Sequence, residues 1–365
     1  MHQSVLLISS LENNMGLSKI ILNIALWLVD TFTFFIKTDE KRITFISLTA
    51  NELKDDFYLL DRELKKEEYH IYYDLIVFEK GVVGKFKYFL NCLQQLVEMK
   101  KSKLIILNDN NYIVSNRKPK DTKVIQIWHA PGAVKKFGNQ IKRQYPIRNY
   151  DACICNSSYW KPVYAQAFGM DENKIHVTGF PRMDTIHNAD NEFIKKHPEC
   201  KGKRLILYAP TFRGNIIDGF VVESMDFTKL NIDENTYILC KYHPLLEDIH
   251  IHHDQVLNVT HEDLYDLMNV SDLLISDYSS VFFDFCLIDK PMIVYVPDYE
   301  NYKQTIGLNM DIYKEFKYVC TTMDELNQLI ASDLKVDEQF QQKFVPFKDG
   351  KNTERVVEVI KNLMK

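Results

Sequence analysis

The sequence predicts an α/β protein with mostly parallel strands, because short apolar stretches of strand length alternate with longer amphipathic stretches along the chain. The clearest example runs from Ser271 to Tyr302. Within it we expect a strand over Asp272–Ser276, a helix buried on two sides over Val281–Ile288, and a second strand over Met292–Val296. A chain of 365 residues is long enough for two domains. We therefore expect two Rossmann-like halves that enclose a ligand cleft outside the carboxyl ends of their strands.

Composition and length divide the chain into three predicted parts. Residues 1–40 form an N-terminal apolar segment, residues 41–175 a first Rossmann-like domain, and residues 176–365 a second one that includes the C-terminal helix. A net charge of −5 gives no reason to expect a nucleic-acid partner. The seven cysteines are scattered and odd in number, which indicates a reduced, cytosolic environment.

The remaining predicted elements follow the same alternation of strand and helix. The strands of the first half are Arg42–Leu48, Tyr69–Tyr73, Asp74–Phe78, Lys103–Leu107, Val124–Trp128 and Asp151–Cys155. Its helices are Glu52–Glu67, Lys85–Lys101 and one that Asn156-Ser157-Ser158 opens. Further strands are Ile175–Thr178, Arg204–Ala209 and Thr236–Cys240, and further helices are Met323–Ala331 and Glu354–Met364. This order is typical of a parallel sheet covered by helices on both faces.

The most apolar segment of the chain is Ile20–Ile36, which is expected to be helical. It spans 17 residues and contains Asn23 and Asp30. A membrane-spanning helix needs about 20 apolar residues, and an acidic residue near its centre is costly. Three interpretations remain open: a helix lying on a membrane surface, a buried helix, and a membrane span. No secretory signal is evident.

Residues that can carry chemistry directly follow several of the predicted strands. They are His129, Arg213, Lys241, His243 and Ser279. Because the carboxyl ends of parallel strands meet at one edge of a sheet, we expect these side chains to share the cleft.

The second half is expected to hold a phosphate group. Ser279 or Ser280 should cap the following helix, where free N–H groups and the helix dipole attract an anion. Arg213 offers a planar fork for phosphate oxygens, and Lys241 and His243 add donors beside it. The alternatives are an ordinary N-cap pair for the two serines, a domain-interface ion pair for Arg213, and a simple turn at His243.

The first half is expected to hold a hydroxyl nucleophile. Histidine is suited to take a proton from a hydroxyl group, so His129 is the candidate general base. The alternative is a structural histidine at the end of a strand. No glycine-rich dinucleotide motif or P-loop is present, and the irregular spacing of the histidines does not indicate a metal site.

A basic segment follows the middle of the first half. From Arg117 to Arg148 there are nine lysines or arginines and one acidic residue, Asp121. Such a segment can face phosphates or an anionic membrane surface, or it can be an ordinary solvated face.

Several short motifs, taken together and in order, resemble one known family. They are Trp128-His129, Thr178-Gly179-Phe180-Pro181-Arg182, Ala209-Pro210-Thr211-Phe212-Arg213, His243-Pro244, Ser276-Asp277-Tyr278-Ser279-Ser280 with Phe283-Asp284, Lys290-Pro291, and Asp349-Gly350 before Arg355. From about Arg42 to the C-terminus, the chain resembles the CDP-glycerol glycerophosphotransferase family of teichoic acid synthesis. The resemblance implies a GT-B fold. It also implies transfer of glycerol phosphate from CDP-glycerol to a lipid-linked acceptor at the inner membrane face, with release of CMP.

The resemblance also implies roles for individual residues. His129 matches the general base, and we expect His243 to take part in catalysis with it. The residues expected to bind the donor and its phosphates are Arg213, Lys241, His243, Asp277, Ser279 and Ser280. The residues expected to face the acceptor or the membrane are Trp128, Lys135, Lys136 and Arg182. No essential metal or other cofactor is expected.

The branch of the family is indicated by the segment Trp128–Gly138. Polymerases of the family usually carry Trp-His-Gly-Thr, whereas Ala130 and Pro131 follow the Trp-His pair here. The large N-terminal region of the polymerases is also absent. In these features the chain resembles the primase branch, which adds the first glycerol phosphate to an undecaprenyl-diphosphate-linked disaccharide. Met183 departs from the asparagine that many relatives carry, which leaves details of donor or acceptor recognition open.

Other functions on the same scaffold remain open. They are a polymerase-type transferase, a transferase that uses CDP-ribitol or a nucleotide sugar, and a non-catalytic protein that binds a polymer. A homo-oligomer is also left open. The apolar Ile20–Ile36 helix, the Lys85–Lys101 helix and the basic segment lead us to expect a peripheral protein on the cytoplasmic side of the cell membrane.

Overall fold

The computed structural model describes residues 2–77, 79, 81–188, 192–215, 219–222, 225–242 and 253–365. The chain starts with a long helix, α1 (His2–Phe32), and continues as two α/β halves. Each half contains a six-stranded sheet.

The first half is built on a sheet in which every paired strand is parallel to its neighbour. Its strands are β1 (Asp39–Ser47), β2 (His70–Leu75), β3 (Ser102–Leu107), β4 (Lys123–Gln126), β5 (Ala152–Cys155) and β6 (Ile175–Val177), in the spatial order β2-β1-β3-β4-β5-β6. Its helices are α2 (Asp55–Leu64), α3 (Gly81–Lys101), α4 (Tyr112–Arg117) and α5 (Trp160–Phe168). The inner strands are almost wholly buried, as expected where helices cover both faces of a sheet.

The second half repeats this architecture. Its sheet contains β7 (Arg204–Ala209), β10 (Thr236–Cys240), β11 (Val256–Asn258), β12 (Leu273–Ser276), β13 (Met292–Tyr295) and β14 (Val319–Cys320), in the order β11-β10-β7-β12-β13-β14. An antiparallel hairpin of β8 (Phe212–Asn215) and β9 (Gly219–Val222) follows β7. The helices are α6 (Glu192–Lys196), α7 (Leu264–Val270), α8 (Val281–Phe285), α9 (Tyr299–Thr305), α10 (Ile312–Glu315), α11 (Met323–Ala331), α12 (Glu338–Phe344) and α13 (Asn352–Met364).

The predicted α/β class is confirmed, but several local features differ from the prediction. The two strand pieces predicted over 69–78 form the single strand β2. The helix predicted over Val281–Ile288 is only five residues of α-helix, followed by a 3-10 turn over Cys286–Ile288. The β8–β9 hairpin was not predicted. Apolar periodicity identifies buried stretches, but it does not fix where the hydrogen-bonding pattern of a helix changes.

The topology places a crevice at one point of each sheet. The chain changes winding direction between β1 and β3 in the first sheet and between β7 and β12 in the second. Ligands of open α/β sheets bind outside the carboxyl ends of the strands at such switch points. Here the loops that follow these four strands line cavities between the two halves.

A shared aromatic cluster holds the two halves together. Trp160 of α5 packs against Phe283 of α8 with ring centroids 5.2 Å apart, and against Phe344 of α12 at 5.6 Å. Gly132 lies directly against this cluster, because a Cβ atom built on it would stand 2.5 Å from the Phe283 ring. The loop after β4 can therefore approach α8 closely only because residue 132 has no side chain.

The C-terminal helix returns to the first half. The Asp184 carboxylate accepts hydrogen bonds from the backbone N–H groups of Asn352 and Thr353, at 2.9 and 2.7 Å, and so caps the start of α13. From there α13 packs against α2, β3 and the turn over Pro181–Asp184. The last strand of the first sheet, β6, straddles the domain boundary predicted between residues 175 and 176.

The N-terminal helix packs on α3 with one face and exposes the other. Leu26 is completely buried, and the Lys100 ammonium binds Asp30 at the end of α1. The opposite face carries large exposed apolar side chains at helical spacing: Leu17, Ile20, Ile21, Ile24, Trp27 and Leu28. The helix ends at Phe32 rather than at the predicted residue 36. Among the residues that the structure describes, no helix has the length and apolar character needed to cross a membrane.

Candidate active site

A cavity of about 410 Å³ lies between the two halves. The loop between residues 128 and 137 forms its first-half wall, and residues 209–212, 241–242 and 278–281 form its second-half wall. His129 and Ser279 both line it, so the structure brings together two of the predicted site residues that are 150 positions apart in the chain. We call this space the first cavity.

The loop that carries His129 is held in a strained turn. Trp128 has a φ angle of +51°, which a bulky side chain rarely adopts and which costs about 1–3 kcal/mol. The buried Gln126 side chain holds the turn, because it accepts a hydrogen bond from the Trp128 N–H at 2.8 Å and donates one to the Asp109 carbonyl at 2.9 Å. The Trp128 indole is itself buried and stacks on Phe137. Gln126 therefore fixes the loops after β3 and β4 relative to each other.

His129 and Asp109 form a pair at the mouth of the cavity. His129 Nδ1 lies 3.1 Å from the Asn108 carbonyl oxygen and 3.5 Å from Asp109 Oδ1. A carbonyl oxygen only accepts hydrogen bonds, so Nδ1 is the nitrogen that carries the proton in the neutral imidazole, and the lone pair of that form is on Nε2. The side chain of His129 is 55% exposed, which leaves this nitrogen accessible to a substrate. The arrangement is that of a histidine base oriented by a carboxylate.

The Asp109 carboxylate is itself held by the loop after β1. Its Oδ2 accepts hydrogen bonds from the Thr49 hydroxyl at 2.9 Å and from the Leu48 N–H at 3.3 Å. Burial acts to raise the pKa of Asp109, but the hydrogen bond and charge of His129, with the bonds from Thr49 and Leu48, outweigh it and leave that pKa below the ordinary value. Asp109 is therefore ionised whenever the site works near neutral pH.

Lys135 extends from the first half into the first cavity. Its ammonium lies 5.6 Å from the centroid of the Phe212 ring of the second half. Burial lowers the pKa of Lys135, and Arg213 adds to the effect while Asp277 opposes it. In the part of the chain that the structure describes, no carboxylate or carbonyl oxygen lies within hydrogen-bonding distance of this ammonium group. Lys135 was predicted to face the acceptor or the membrane, and the structure places it in the lining of the cleft between the halves.

Lys241, Ser279 and Ser280 complete the polar lining on the second-half side. The Lys241 ammonium donates to the Thr260 and Glu262 carbonyls at 2.9 and 2.7 Å, so two of its three N–H donors are engaged. Burial lowers the pKa of Lys241. Ser279 Oγ accepts from the Val281 N–H at 3.3 Å, whereas Ser280, the N-cap of α8, makes no side-chain cap bond. Of the two serines that the sequence offered as the N-cap, Ser280 occupies that position, and the Ser279 hydroxyl accepts the first N–H of the helix.

Arg213 and Asp277 bind each other rather than facing the cavity. The Arg213 guanidinium bonds Asp277 Oδ2 at 2.9 Å and both oxygens of Asp298 at 2.9 and 3.1 Å. It also lies over the rings of Tyr278 and Tyr302. Asp277 in turn accepts the Thr211 N–H at 2.9 Å. These hydrogen bonds give no support to the expectation that Arg213 and Asp277 bind a phosphate directly. Both side chains instead bond to each other and to neighbouring groups, and so connect the loops after β7 and β12.

Arg182, which was predicted to face the acceptor or the membrane, is buried between the two halves and links them. Its guanidinium bonds Asp56 of α2 at 2.7 Å and Asp284 of α8 at 3.4 Å, with only 8% of the side chain exposed. It also donates to the His129 carbonyl at 3.2 Å. Lys136 has an exposed side chain beside Gly307. His243 lies outside the described residues.

A second cavity, also of about 410 Å³, borders His129 from the other direction. It shares Trp128, His129, Ser279 and Ser280 with the first cavity, so these residues stand between the two. Its charged lining is mostly acidic: Glu52, Asp55, Asp56 and Asp284, with Lys54 paired to Glu52 and Arg182 paired as above. The two cavities on either side of His129 therefore differ in charge.

Sequence reasoning missed Asp109, Gln126 and Asp298. Asp109 follows β3 just as His129 follows β4. The strand-end rule, by which residues that directly follow strands are expected to share the cleft, could therefore have identified it. Gln126 lies inside a strand and gave no signal. Asp298 reaches Arg213 across 85 positions of sequence, which no local pattern can reveal.

Comparison with known proteins adds four findings. A family model described as "CDP-Glycerol:Poly(glycerophosphate) glycerophosphotransferase" matches residues 28–362. The teichoic acid ribitol-phosphate primase of Bacillus spizizenii is 31% identical over 88% of this chain and 91% of its own length. The teichoic acid glycerol-phosphate primase of Bacillus subtilis is 30% identical over 71% of this chain and 74% of its own. Among solved structures, that of the wall teichoic acid polymerase TagF is similar with a TM-score of 0.69 at 21% identity, over 97% of this chain and 96% of that one.

Proposed function

The chain belongs to the CDP-glycerol:poly(glycerophosphate) glycerophosphotransferase family, and on that premise we propose that it transfers glycerol phosphate from CDP-glycerol to a lipid-linked disaccharide, with release of CMP. Membership makes it an enzyme that transfers phosphate-containing groups in teichoic acid synthesis. The proposal adds the primase reaction, the acceptor and the residue roles. The two Rossmann-like halves with a cleft between them support the GT-B architecture expected of such a transferase.

One observation carries the proposal: His129 stands between a cavity with two ammonium groups and a cavity with an acidic lining. The diphosphate of the donor is anionic and suits the first cavity, where Lys135 and Lys241 are the cations. An acceptor hydroxyl is a neutral hydrogen-bond donor and suits the second cavity, whose carboxylates accept hydrogen bonds. The base then lies between nucleophile and electrophile.

The reaction follows from this arrangement. The acceptor hydroxyl gives its proton to His129 Nε2 while its oxygen forms a bond to the phosphorus that bears glycerol. The bond from that phosphorus to the bridging oxygen of CMP breaks, and the electron pair leaves with CMP. Lys135, Lys241 and the serine hydroxyls offset the charge that grows on the leaving phosphate. The proton on imidazolium, stabilised by Asp109, then passes to solvent.

We propose that these fixed cations take the place of a divalent metal ion. Lys135 already presents a positive charge to the first cavity, as a bound Mg²⁺ would. Full activity after exhaustive chelation is the expected result. Loss of activity that added magnesium restores would contradict this part of the proposal.

CDP-ribitol is the second candidate donor. It is favoured by the B. spizizenii relative, which is named as a ribitol-phosphate primase and matches most of this chain. Ribitol has two more hydroxyl-bearing carbons than glycerol, and cations placed to bind the diphosphate, such as Lys135 and Lys241, do not distinguish the two donors.

The decisive assay measures CMP release from CDP-glycerol and from CDP-ribitol, with and without a synthetic polyprenyl-diphosphate disaccharide. We expect acceptor-dependent release from CDP-glycerol, ending at one CMP for each acceptor. Release of many CMP molecules for each acceptor would make the enzyme a polymerase. Release from CDP-ribitol alone would select the second candidate. No release from either donor would contradict the proposed transfer.

We further propose that the protein is peripheral to the cytoplasmic face of the cell membrane, where a lipid-linked acceptor lies. The exposed apolar face of α1 supports this, and the neighbouring helix α3 adds the exposed Val82, Val83, Phe86 and Leu90. The basic segment contributes less than its composition suggested. Lys118 and Lys123 lie near the Asp151 carboxylate, and Lys135 points into the cleft.

Replacing both Ile24 and Trp27 by serine is expected to weaken membrane binding by tenfold or more. Each of these side chains is 55% exposed, and burial of one large apolar side chain contributes about 1.5–3 kcal/mol. Sedimentation with vesicles of phosphatidylglycerol and phosphatidylcholine measures the affinity. Tyr313→Ser, an exposed aromatic of the second half, serves as the matched control. Binding should also persist at high salt, because the apolar face dominates. Unchanged binding by the double variant would contradict the assignment of this surface.

A further inference from the structure

Two short segments of the two halves form a clasp beside the first cavity. The clasp consists of residues 134–136 from the first half and residues 307–309 from the second, with Lys135 and Leu308 paired as an antiparallel bridge. The Lys136 N–H donates to the Gly307 carbonyl at 3.0 Å, and the Asn309 N–H donates to the Val134 carbonyl at 2.8 Å. The backbone that carries the Lys135 side chain is therefore held by the opposite half.

Asn309 makes most of the side-chain contacts of the clasp. Its Nδ2 donates to the Lys135 carbonyl at 2.9 Å. Its amide also pairs with that of Gln140, with Gln140 Nε2 donating to Asn309 Oδ1 at 2.7 Å and Asn309 Nδ2 donating to Gln140 Oε1 at 3.1 Å. The Tyr159 hydroxyl donates to the Asn309 carbonyl at 3.3 Å. Backbone and side chain of Asn309 are thus committed to the first half.

Residues 298–309, which end in the second-half segment of the clasp, also contact the wall of the first cavity. The stretch starts at Asp298, which binds Arg213 and accepts a hydrogen bond from the Tyr278 hydroxyl at 3.0 Å. Tyr302 of α9 stacks on the Tyr278 ring, with centroids 3.7 Å apart and planes at 7°. The Gly307 N–H then bonds the Tyr302 carbonyl at 3.3 Å. Residues 298–309 therefore connect the loop of Tyr278 and Ser279 to the clasp by packing and hydrogen bonds.

We propose that Asn309 is a positioning residue that sets where the Lys135 ammonium stands in the first cavity. Asn309 does not line the cavity, so it acts through the Lys135 backbone. The inference rests on the proposed function only for the identity of the anion, a nucleoside diphosphate. A device of this kind makes strong donor binding depend on contact between the halves, because the cation and the serines come from opposite sides of the cleft.

The aromatic cluster of Trp160, Phe283 and Phe344 allows an experiment to distinguish this positioning role from a merely structural one. That cluster already joins the halves by buried apolar contact, so loss of one polar side chain at the rim is expected to leave the protein folded. A positioning role predicts a defect specific to the donor. A structural role predicts a general loss of stability and activity.

The test is a double-mutant cycle between Asn309→Ala and Lys135→Met. In the wild-type background, Asn309→Ala should displace the Lys135 ammonium and so weaken its hydrogen bond to the diphosphate. We expect the KM for the CDP-alditol donor to rise about tenfold, with little change in the KM for acceptor. In the Lys135→Met background the same change should cost less than about twofold. An equal cost in both backgrounds, or an unchanged donor KM, would overturn the proposal.

Two further variants and a binding measurement distinguish the possible outcomes. Asn327→Ala is the control, because the Asn327 amide donates one hydrogen bond and accepts one, both within the second half. If Asn309→Ala melts well below the wild type, Asn309→Asp replaces it, since it keeps the oxygen that Gln140 binds and removes both N–H donors. Calorimetric binding of CDP gives the same cycle without turnover. If no CDP-alditol is a substrate, the proposed function fails, whereas CDP binding that Lys135→Met weakens and Asn309→Ala leaves intact would refute the positioning role.

Discussion

Replacing His129 by asparagine is expected to lower kcat about 10²–10⁴-fold, the usual contribution of a general base, with little change in the donor KM. Asparagine retains an N–H that can donate to the Asn108 carbonyl, so the loop keeps its local bond. It has no nitrogen lone pair that can accept the proton of an acceptor hydroxyl. Steady-state CMP release at saturating donor and acceptor measures the effect. A variant with wild-type kcat would remove His129 from the chemistry.

A companion substitution tests how His129 is oriented. Asp109→Asn should lower kcat by a smaller factor, because the amide can turn an N–H toward Nδ1 and so favour the wrong tautomer of the imidazole. The pH profile distinguishes the two roles. The pKa of Asp109 lies below its ordinary value of 3.8, so its contribution is fully present above that value and is lost only as the pH falls through the lowered pKa. Loss of activity between pH 5 and 8 therefore cannot arise from Asp109.

Replacing Lys135 by methionine is expected to raise the donor KM by about 10–100-fold, because a charge-assisted hydrogen bond to a phosphate contributes about 1.5–3 kcal/mol. Methionine fills a similar volume without the charge. Lys136→Met is the matched control. It removes the same charge at the next residue, whose side chain is exposed. Equal effects of the two variants would mean that overall charge, rather than the cavity, attracts the donor.

The pH dependence of donor binding provides an independent check on Lys135. Burial and the neighbouring Arg213 hold its pKa below 10.5, and only the protonated amine binds an anion well. Donor affinity should therefore decline on the alkaline side as the pH rises through that lowered pKa. Isothermal titration with CDP measures this decline, which should be smaller in the Lys135→Met variant, where Lys241 is the remaining lysine of the cavity.

The strand-end rule predicted much of the site because it depends on sheet topology, which apolar periodicity reveals. It placed His129, Lys241 and Ser279 at one cleft, and all three line the first cavity. It did not establish what each side chain binds. Arg213 obeys the same rule and is nevertheless bound by Asp298, a residue whose position depends on the packing of α9.

Lys135 shows what composition alone does not reveal. Composition grouped it with eight other basic residues as one surface, although their side chains point in different directions. Lys118 pairs with Asp151, whereas Lys135 turns inward beside Phe212. A count of charges along the sequence does not show in which direction each side chain points, because that depends on the fold. The length of α8 was also missed, because a 3-10 turn keeps the same residues buried as the α-helix would.

The return of α13 to the first half has a consequence for biosynthesis. Asp184, α2 and β3 receive this helix from a segment that begins more than 160 residues after Asp184. During translation the first sheet can form early, since its strands are contiguous in the chain, but its surface stays uncovered at the site of α13 until the last helix has left the ribosome. The first half is therefore complete only after α13 has emerged, and a ribosome that stalls in the second half would release a protein whose first half is also unfinished.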